Sequence, residues 1–222
     1  MLGARSALVP LKYNEMDKSD RVLDYWFGAP GTEEHGLHRE MWYRGGPEID
    51  AEISEQFLTL YEHAATGELS QWREGYRPCL ALILLLDQFP RNMFRGKPKS
   101  FNTDAEALNT ARHAIEQGYD RELNLNFQQF FYLPFEHSED IADQRRSVEL
   151  FRAGAEDERK ELTIGYAVKH FEIIQQFGRF PHRNLILGRD STVEEIKFLE
   201  DGGEDVQFGT QRNQDAKGSS PD

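Results

Sequence analysis

The feature that most constrains the fold is an unbroken apolar run, CLALILLL, at Cys79–Leu86. A helix over this run would be apolar on nearly every side, so other parts of the protein must surround it. Eight apolar residues are too few to span a bilayer. We therefore predict that residues 77–89 form a buried central helix.

Helical spacing of apolar residues recurs along the rest of the chain. Ile49, Ile53, Phe57 and Leu60, for example, are separated by three or four residues, which is typical of one helix face. No segment shows sustained strand alternation between hairpin turns, so the sequence predicts an all-α domain over residues 19–200. We expect about eight to ten helices in antiparallel pairs. The other main helices are predicted at Ser19–Phe27, Pro47–Ala64, Asp104–Gln117, Glu122–Phe135, Ser138–Ala153, Glu156–Phe177 and Ser191–Glu200.

Composition limits the classes of function that suit the chain. The net charge of −13 disfavours general binding to nucleic acids and to anionic membranes, because both need a cationic surface. The single cysteine, Cys79, excludes an intrachain disulfide and suits a reducing compartment, so we expect a cytoplasmic protein. Residues 1–18 lack an adequate hydrophobic region for a signal peptide and are expected to form a flexible arm. Residues 201–222 are acidic and polar and are expected to be disordered.

Two similar segments each follow a predicted helix: LDQFPRN at Leu86–Asn92 and GRFPHRN at Gly178–Asn184. Proline disfavours continuation of a helix and pushes the preceding residue out of helical geometry. Both segments therefore predict corners at which a helix ends, and each leads through a loop to a predicted capping box. The capping pairs are Thr103 with Glu106 and Ser191 with Glu194. The similarity of the two segments favours a repeated helical unit.

The segment Phe127–Ser147 changes from aromatic to densely polar. His137 and Gln144 fall on one helical stripe with core residues and are predicted to point inward. A carboxylate beside a histidine fixes its tautomer and raises its basicity, which suits a general base. We therefore predict His137 as an acid or base that Glu136 or Asp140 orients. The alternative is that His137 is a hydrogen-bonded core residue.

Arginine is concentrated in these motifs although the chain is acidic. Arginine binds carboxylates and phosphates through two parallel hydrogen bonds, so one interpretation is an anion-binding pocket where helix ends meet. The other is that these arginines form ion pairs with acids such as Asp87, Glu139 and Asp143, and so hold the corners against the helices. The predicted ligand-binding residues are Arg91, Asn92, Gln144, Arg145, Arg179, His182, Arg183 and Asn184.

No motif in the sequence indicates a metal or cofactor site. A Glu-x-x-His pair, His-Glu-x-x-His and zinc-type paired cysteines are all missing. A Gly-rich phosphate loop, a dinucleotide fingerprint and a nucleophile elbow are missing too. The spacing of His137, His170 and His182 does not demand a shared metal. We predict no metal and no cofactor.

Four motifs together resemble the bacterial family called domain of unknown function 924. They are LDYWFG, LLLDQFPRNMFRG, FFYLPFEHSEDIADQRRSVELF, and GRFPHRN with LGRDST, and they span roughly residues 20–200. The family is similar to tetratricopeptide-like helical folds. The resemblance therefore implies a right-handed stack of antiparallel helix pairs. It implies no established activity and assigns no catalytic residue.

Two functions of different classes are consistent with the sequence. The first is binding of an anionic small molecule in a pocket of arginine, histidine and carboxylate, with acid–base chemistry if the protein is an enzyme. The second is a non-enzymatic module that holds a protein or peptide in a concave groove. The two differ in whether the polar half of Phe127–Ser147 faces an enclosed cavity, an open groove or its neighbouring corners. Whether the protein is an enzyme, and its oligomeric state, are left open by the sequence.

Overall fold

The chain is helical throughout the part that the structure describes. The structure is a computed structural model, and it describes residues 13–43, 45–121 and 123–203. No strand occurs within these residues, which confirms the all-α class; the tetratricopeptide-like stack stays a prediction. The helices are α1 (Tyr13–Phe27), α2 (Pro47–Ala65), α3 (Tyr76–Ile83), α4 (Phe89–Met93), α5 (Asp104–Gln117), α6 (Leu125–Glu136), α7 (Ile141–Ala153), α8 (Lys160–Phe177), α9 (Asn184–Leu187) and α10 (Val193–Glu200).

The predicted ends of the longer helices agree closely with the structure. α5 and α8 stop at Gly118 and Gly178, whose φ angles of 70° and 69° are left-handed, as glycine stop signals predict. α1 begins at Tyr13, earlier than the predicted Ser19. Residues 1–12 of the predicted arm and 204–222 of the predicted tail lie outside the described residues.

α3 and the segment after it form the centre of the core. Residues 79–86 are each at most 3% exposed, which confirms the predicted buried helix. α3 packs against α1, α5 and α6. Full burial of one large apolar side chain contributes roughly 1.5–3 kcal/mol, so this run is a major source of stability. No helix in the described part of the chain is long and apolar enough to cross a membrane.

The helix does not end at Pro90, so the predicted first corner is wrong. Phe89 keeps helical geometry, with φ −62° and ψ −38°, and α4 continues through the proline. A π-helical segment, Leu84–Gln88, joins α3 to α4. In a regular α-helix the ring of Pro90 would clash with the carbonyl group four residues earlier. The wider turn of the π-helix changes the hydrogen-bond pattern at this point. That carbonyl group, of Leu86, instead accepts a hydrogen bond from the Thr103 hydroxyl at 2.6 Å.

The second corner forms as predicted. Phe180 is extended, with φ −88° and ψ 107°, and Pro181–Arg183 form a short 3-10 turn before α9. This corner differs from the first because α8 has already ended at Gly178, before the proline is reached.

The predicted capping box of Thr103 and Glu106 is absent. The Thr103 hydroxyl donates to Leu86 instead, and Glu106 pairs with Arg73 Nη2 at 2.5 Å. α5 therefore begins without a side-chain cap.

Two other helix starts are capped by residues next to those predicted. Thr192 and Glu195 form the capping box of α10, one residue later than the predicted pair. Asp140 caps α7 through its side chain, two residues after the predicted helix start at Ser138. The Ser138 hydroxyl accepts from the Asp140 backbone N–H at 3.1 Å, and so supports the same turn.

Thr103→Val should lower the free energy of unfolding by about 1–2 kcal/mol, because it leaves the buried Leu86 carbonyl without its hydroxyl donor. Thr103→Ser is the matched control and should cost less, since it keeps the hydroxyl. Chemical denaturation of the three proteins measures both effects. Equal losses in the two variants would show that the hydroxyl does not stabilise the π-helical segment.

Candidate functional site

The polar half of Phe127–Ser147 divides between a cavity and the corner that follows α6. Glu136 and His137, at the end of α6, line the cavity. Beyond them, the Gln144 side chain donates from Nε2 to the carbonyl groups of Glu136 and Ser138, both at 2.6 Å. Gln144 therefore stabilises the turn between α6 and α7, and its predicted ligand-binding role has no support from its position.

The cavity lies where α4, α6, α7 and α8 meet the segment before α2. Its volume is about 50 Å³, which is space for about four water molecules. Trp42, Leu133 and Phe151 form its apolar part, and most of the remaining wall is polar. A ligand that fits this cavity has few heavy atoms.

Asp87 orients His137. The Asp87 carboxylate is 0% exposed, and its Oδ1 lies 2.7 Å from His137 Nδ1 and 3.3 Å from Arg91 Nη2. Gln88 Nε2 donates to the other oxygen at 2.5 Å. Burial opposes ionisation, but the charge of Arg91 and the hydrogen bonds from His137 and Gln88 hold the pKa of Asp87 below its usual range. An ionised carboxylate only accepts, so Nδ1 of His137 carries the proton.

This tautomer leaves the second ring nitrogen of His137 as a base. Burial and the charge of Arg91 hold the pKa of His137 below its ordinary value, against the opposing effect of Asp87. The ring is therefore neutral near pH 7. Nε2 has no hydrogen-bond partner among the described residues, and His137 lines the cavity. A neutral imidazole in this state can take a proton from a ligand.

Asp104, at the start of α5, binds arginines from the two similar segments Leu86–Asn92 and Gly178–Asn184, called here the FP segments. Arg91 contacts it through two parallel hydrogen bonds of 3.0 and 3.2 Å. Arg183 Nη1 lies 3.7 Å from Asp104 Oδ2. The Arg183 guanidinium also lies 4.8 Å from the ring centroid of Phe101 and 4.5 Å from that of Phe180, within the range of cation–π attraction. The two similar segments thus meet at one carboxylate.

Glu136 is a buried carboxyl group without a cationic partner in the described part of the chain. It is 3% exposed, and its Oε1 lies 3.2 Å from His170 Nδ1. That nitrogen also lies 2.9 Å from the Tyr166 carbonyl oxygen, which only accepts, so Nδ1 carries a proton. Burial lowers the pKa of His170 to about 3, and burial together with the charge of Asp87 raises the pKa of Glu136 to about 8. The contact has the distance of an ion pair, but both groups are neutral near pH 7.

Two arginines line the cavity, whereas the carboxylates that form ion pairs with them do not line it. Arg91, Asn92 and Arg95 all line the cavity. Asp50 holds Arg95 through Nε and Nη2 at 2.6 and 2.7 Å, and accepts from Asn92 at 2.9 Å. The described wall includes neither Asp50 nor the carboxylates that pair with Arg91. With Glu136 protonated, this wall favours a negative ligand group.

Several residues of the site were not predicted from the sequence. Asp87 was considered only as an ion-pair partner, although it ends the apolar run and stands four residues before Arg91, the spacing of a helical ion pair. Arg95 lies in the same long motif but was not among the predicted ligands. Tyr43, whose hydroxyl donates to Gln129 at 2.6 Å, comes from a segment with no signal of this role. Burial raises the pKa of Tyr43 to about 12, so it stays a neutral donor.

Arg179 and Asn184 hold the second corner together, as the ion-pair interpretation predicts. Arg179 binds Glu195 through two hydrogen bonds of 2.6 and 2.7 Å. Asn184 donates to Ser191 and Glu195 at 3.1 and 3.2 Å, and accepts from Arg189 at 2.9 Å. Neither predicted ligand-binding residue lines the cavity.

Asp140 and Arg145 are both exposed and are not part of the cavity wall. Asp140 accepts from the Ala142 backbone N–H at 2.7 Å as the cap of α7. The orienting role that the sequence analysis assigned to Glu136 or Asp140 is therefore filled by Asp87, which is the carboxylate within hydrogen-bond distance of His137.

Three histidines lie in this region. Burial, followed by the charge of Arg183, lowers the pKa of His182 to about 3, and its ring lies 5.5 Å from that of Phe180. The charge of Arg183 also contributes to the lowered pKa of His170. Within the described ranges, no three or more His, Cys, Asp or Glu residues are grouped so that they could hold a metal ion.

Comparison with known proteins places these features in context. A family model described as "Bacterial protein of unknown function (DUF924)" matches residues 22–203. A solved structure of a protein of unknown function from Agrobacterium tumefaciens is 38% identical to this chain, with a TM-score of 0.73. The match covers 84% of this chain and 99% of that one. A search of curated proteins found no match.

Asp104→Asn should lower the free energy of unfolding by about 3 kcal/mol or more, because it leaves two buried arginines without their shared carboxylate. Asp20→Asn is the control. It removes the partner of the half-exposed Arg77 and should cost about 1 kcal/mol or less. Equally small losses in chemical denaturation would contradict the view that Asp104 joins the two FP segments energetically.

Proposed function

Since the chain belongs to the DUF924 family of bacterial proteins of unknown function, we propose its function from the cavity itself. The protein binds a small anionic molecule between α4, α6 and α8 and acts on it by acid–base chemistry. His137 is the base, and Asp87 is the residue that positions it.

The hydrogen bond between Asp87 and His137 is the observation that carries this proposal. A surface histidine exchanges between tautomers, but the buried carboxylate selects the form with its proton on Nδ1. The lone pair on Nε2 then faces a ligand without a competing protein donor among the described residues. An oriented neutral histidine is the commonest general base in enzymes.

The anionic character of the ligand is inferred from the wall. Arg95 and Asn92 are fixed by Asp50, so they are held in place before a ligand binds. Arg91 adds its charge, although both of its terminal nitrogens already bind Asp104. Arg95 also lines the cavity, so we propose it as a second residue that contacts the anionic group.

The size of the cavity favours a small molecule over a peptide. Glu136 and His137 line a space of about 50 Å³, whereas a peptide-binding groove must expose a long surface. The other polar residues that follow α6, such as Gln144, make contacts within their own corner. The peptide-binding alternative gains no support from this arrangement.

Pyruvate and propionate, used as probes, should bind the wild-type protein saturably in isothermal titration calorimetry. Arg95→Gln should weaken this binding about tenfold or more, because it removes a charge that faces the ligand. Arg145→Gln is the matched control and should bind like the wild type, since Arg145 lies on the exposed side of α7. Absence of saturable binding, or equal weakening in both variants, would contradict the proposal.

A further inference from the structure

We propose that Glu136 is the proton donor that complements His137, and that the site therefore catalyses the reversible enolisation of a short 2-oxo carboxylate. This inference rests on the proposed function, because it uses the same cavity and the same base. It adds a second catalytic residue and a class of substrate.

The position of Glu136 suits it to donate a proton. A carboxyl group that is 3% exposed and unpaired with a cation is more stable in its neutral form, since burial penalises the charge. Its described side-chain contact is with His170 Nδ1, which lies 3.2 Å from Oε1. Oε2 has no partner among the described residues, and Glu136 lines the cavity. The acidic proton is therefore carried by a residue that lines the ligand cavity.

His170 maintains this neutral state. A protonated histidine at 3.2 Å would stabilise the Glu136 carboxylate and favour loss of its proton. Instead, burial and the charge of Arg183 keep the pKa of His170 low. The Tyr166 carbonyl also fixes its single proton on Nδ1. His170 thus lies beside Glu136 without a positive charge that would favour loss of the Glu136 proton.

Glu136 and His137 are adjacent in sequence and line the same cavity. The surroundings of Glu136 favour its protonated form, whereas those of His137 favour a ring without a proton on Nε2. Glu136 holds a proton because it is buried and no cation among the described residues pairs with it, and His137 lacks one on Nε2 because Asp87 engages Nδ1. A pair of groups whose environments separate their proton affinities is the arrangement used for acid–base assignments in enzymes.

The proposed step balances protons and electrons without a cofactor. Nε2 of His137 takes a proton from the carbon next to the carbonyl group, and the electrons of the C–H bond form the C=C bond of an enol. The carbonyl oxygen takes the proton of Glu136. In the reverse step the imidazolium returns its proton to the carbon, and the Glu136 carboxylate takes back the proton of the enol oxygen, so the substrate is neither oxidised nor reduced.

The wall chemistry selects the substrate class. The carboxylate of the substrate would meet Arg95 and Asn92, and its carbonyl oxygen would accept from Glu136. A short alkyl group would lie against the apolar part formed by Trp42, Leu133 and Phe151. A volume of about 50 Å³ limits the ligand to a few carbon atoms.

Exchange of the pyruvate methyl protons in D₂O, followed by proton NMR, tests this inference. The wild-type protein should accelerate the exchange above the rate in buffer. Glu136→Gln should bind pyruvate within about threefold of wild type but lose about 100-fold or more of the exchange rate, because Gln fills the same space without an acidic proton. His137→Gln should also lose the exchange, and Arg145→Gln should retain it.

The pH profile of the wild-type protein gives a second measurement that needs no variant. Glu136 must hold a proton, so the exchange rate per bound pyruvate should fall as pH rises through the Glu136 pKa of about 8. It should also fall at low pH, where His137 becomes protonated.

The outcomes separate the inference from the proposed function. If pyruvate and propionate bind but exchange does not exceed the buffer rate, the enolisation is refuted and only anion binding remains. If exchange survives in Glu136→Gln, Glu136 is not the acid, and the proposed function with His137 as base stands without it. If Glu136→Gln does not fold, an exchange rate that stays constant above pH 8 overturns the inference instead. If neither probe binds the wild-type protein, the proposed function fails and the inference fails with it.

Discussion

The buried Asp87 carboxylate is the interaction on which the rest of this structure depends. It lies in the π-helical segment between α3 and α4, so the same residues that carry the chain past Pro90 also place a charge inside the core. It contacts Arg91, which in turn binds Asp104, and Asp104 lies close to Arg183 of the second corner. Its other contact, to His137, orients the proposed base.

The energetics explain why two buried acids, Asp87 and Glu136, behave differently. An isolated buried carboxylate costs several kcal/mol, and it stays ionised only where cations and hydrogen bonds offset that cost. Asp87 has Arg91 beside it and donors on both oxygens, so its pKa is held low. Glu136 has a neutral histidine partner and feels the charge of Asp87, so its pKa is raised. The Asp87 carboxylate therefore stabilises the fold and orients His137. Its charge also favours the protonated form of Glu136.

Periodicity and stop signals predicted most of the fold, and they failed where tertiary contacts override local preference. The apolar run at residues 79–86 and the glycine stops of α5 and α8 act locally, so the sequence is sufficient to place them. Pro90 did not end its helix, because the wider π-helical turn and the distant Thr103 hydroxyl accommodate the proline. For the site, His137 and Glu136 were predicted to act together, but the carboxylate that orients His137 was not identified. Asp87 lies 50 residues away in sequence, and only the packing of α6 against the α3–α4 region brings it to hydrogen-bond distance.

The protonation state of His137 tests this account most directly. Long-range proton–nitrogen NMR correlations of ¹⁵N-histidine-labelled protein at neutral pH distinguish the two neutral tautomers and the charged ring, and the spectrum of His137→Gln assigns the signals. The account predicts a neutral His137 ring with its proton on Nδ1 and a free Nε2. A charged ring, or a proton on Nε2, would contradict it, because Asp87 would then not hold His137 as a base facing the cavity.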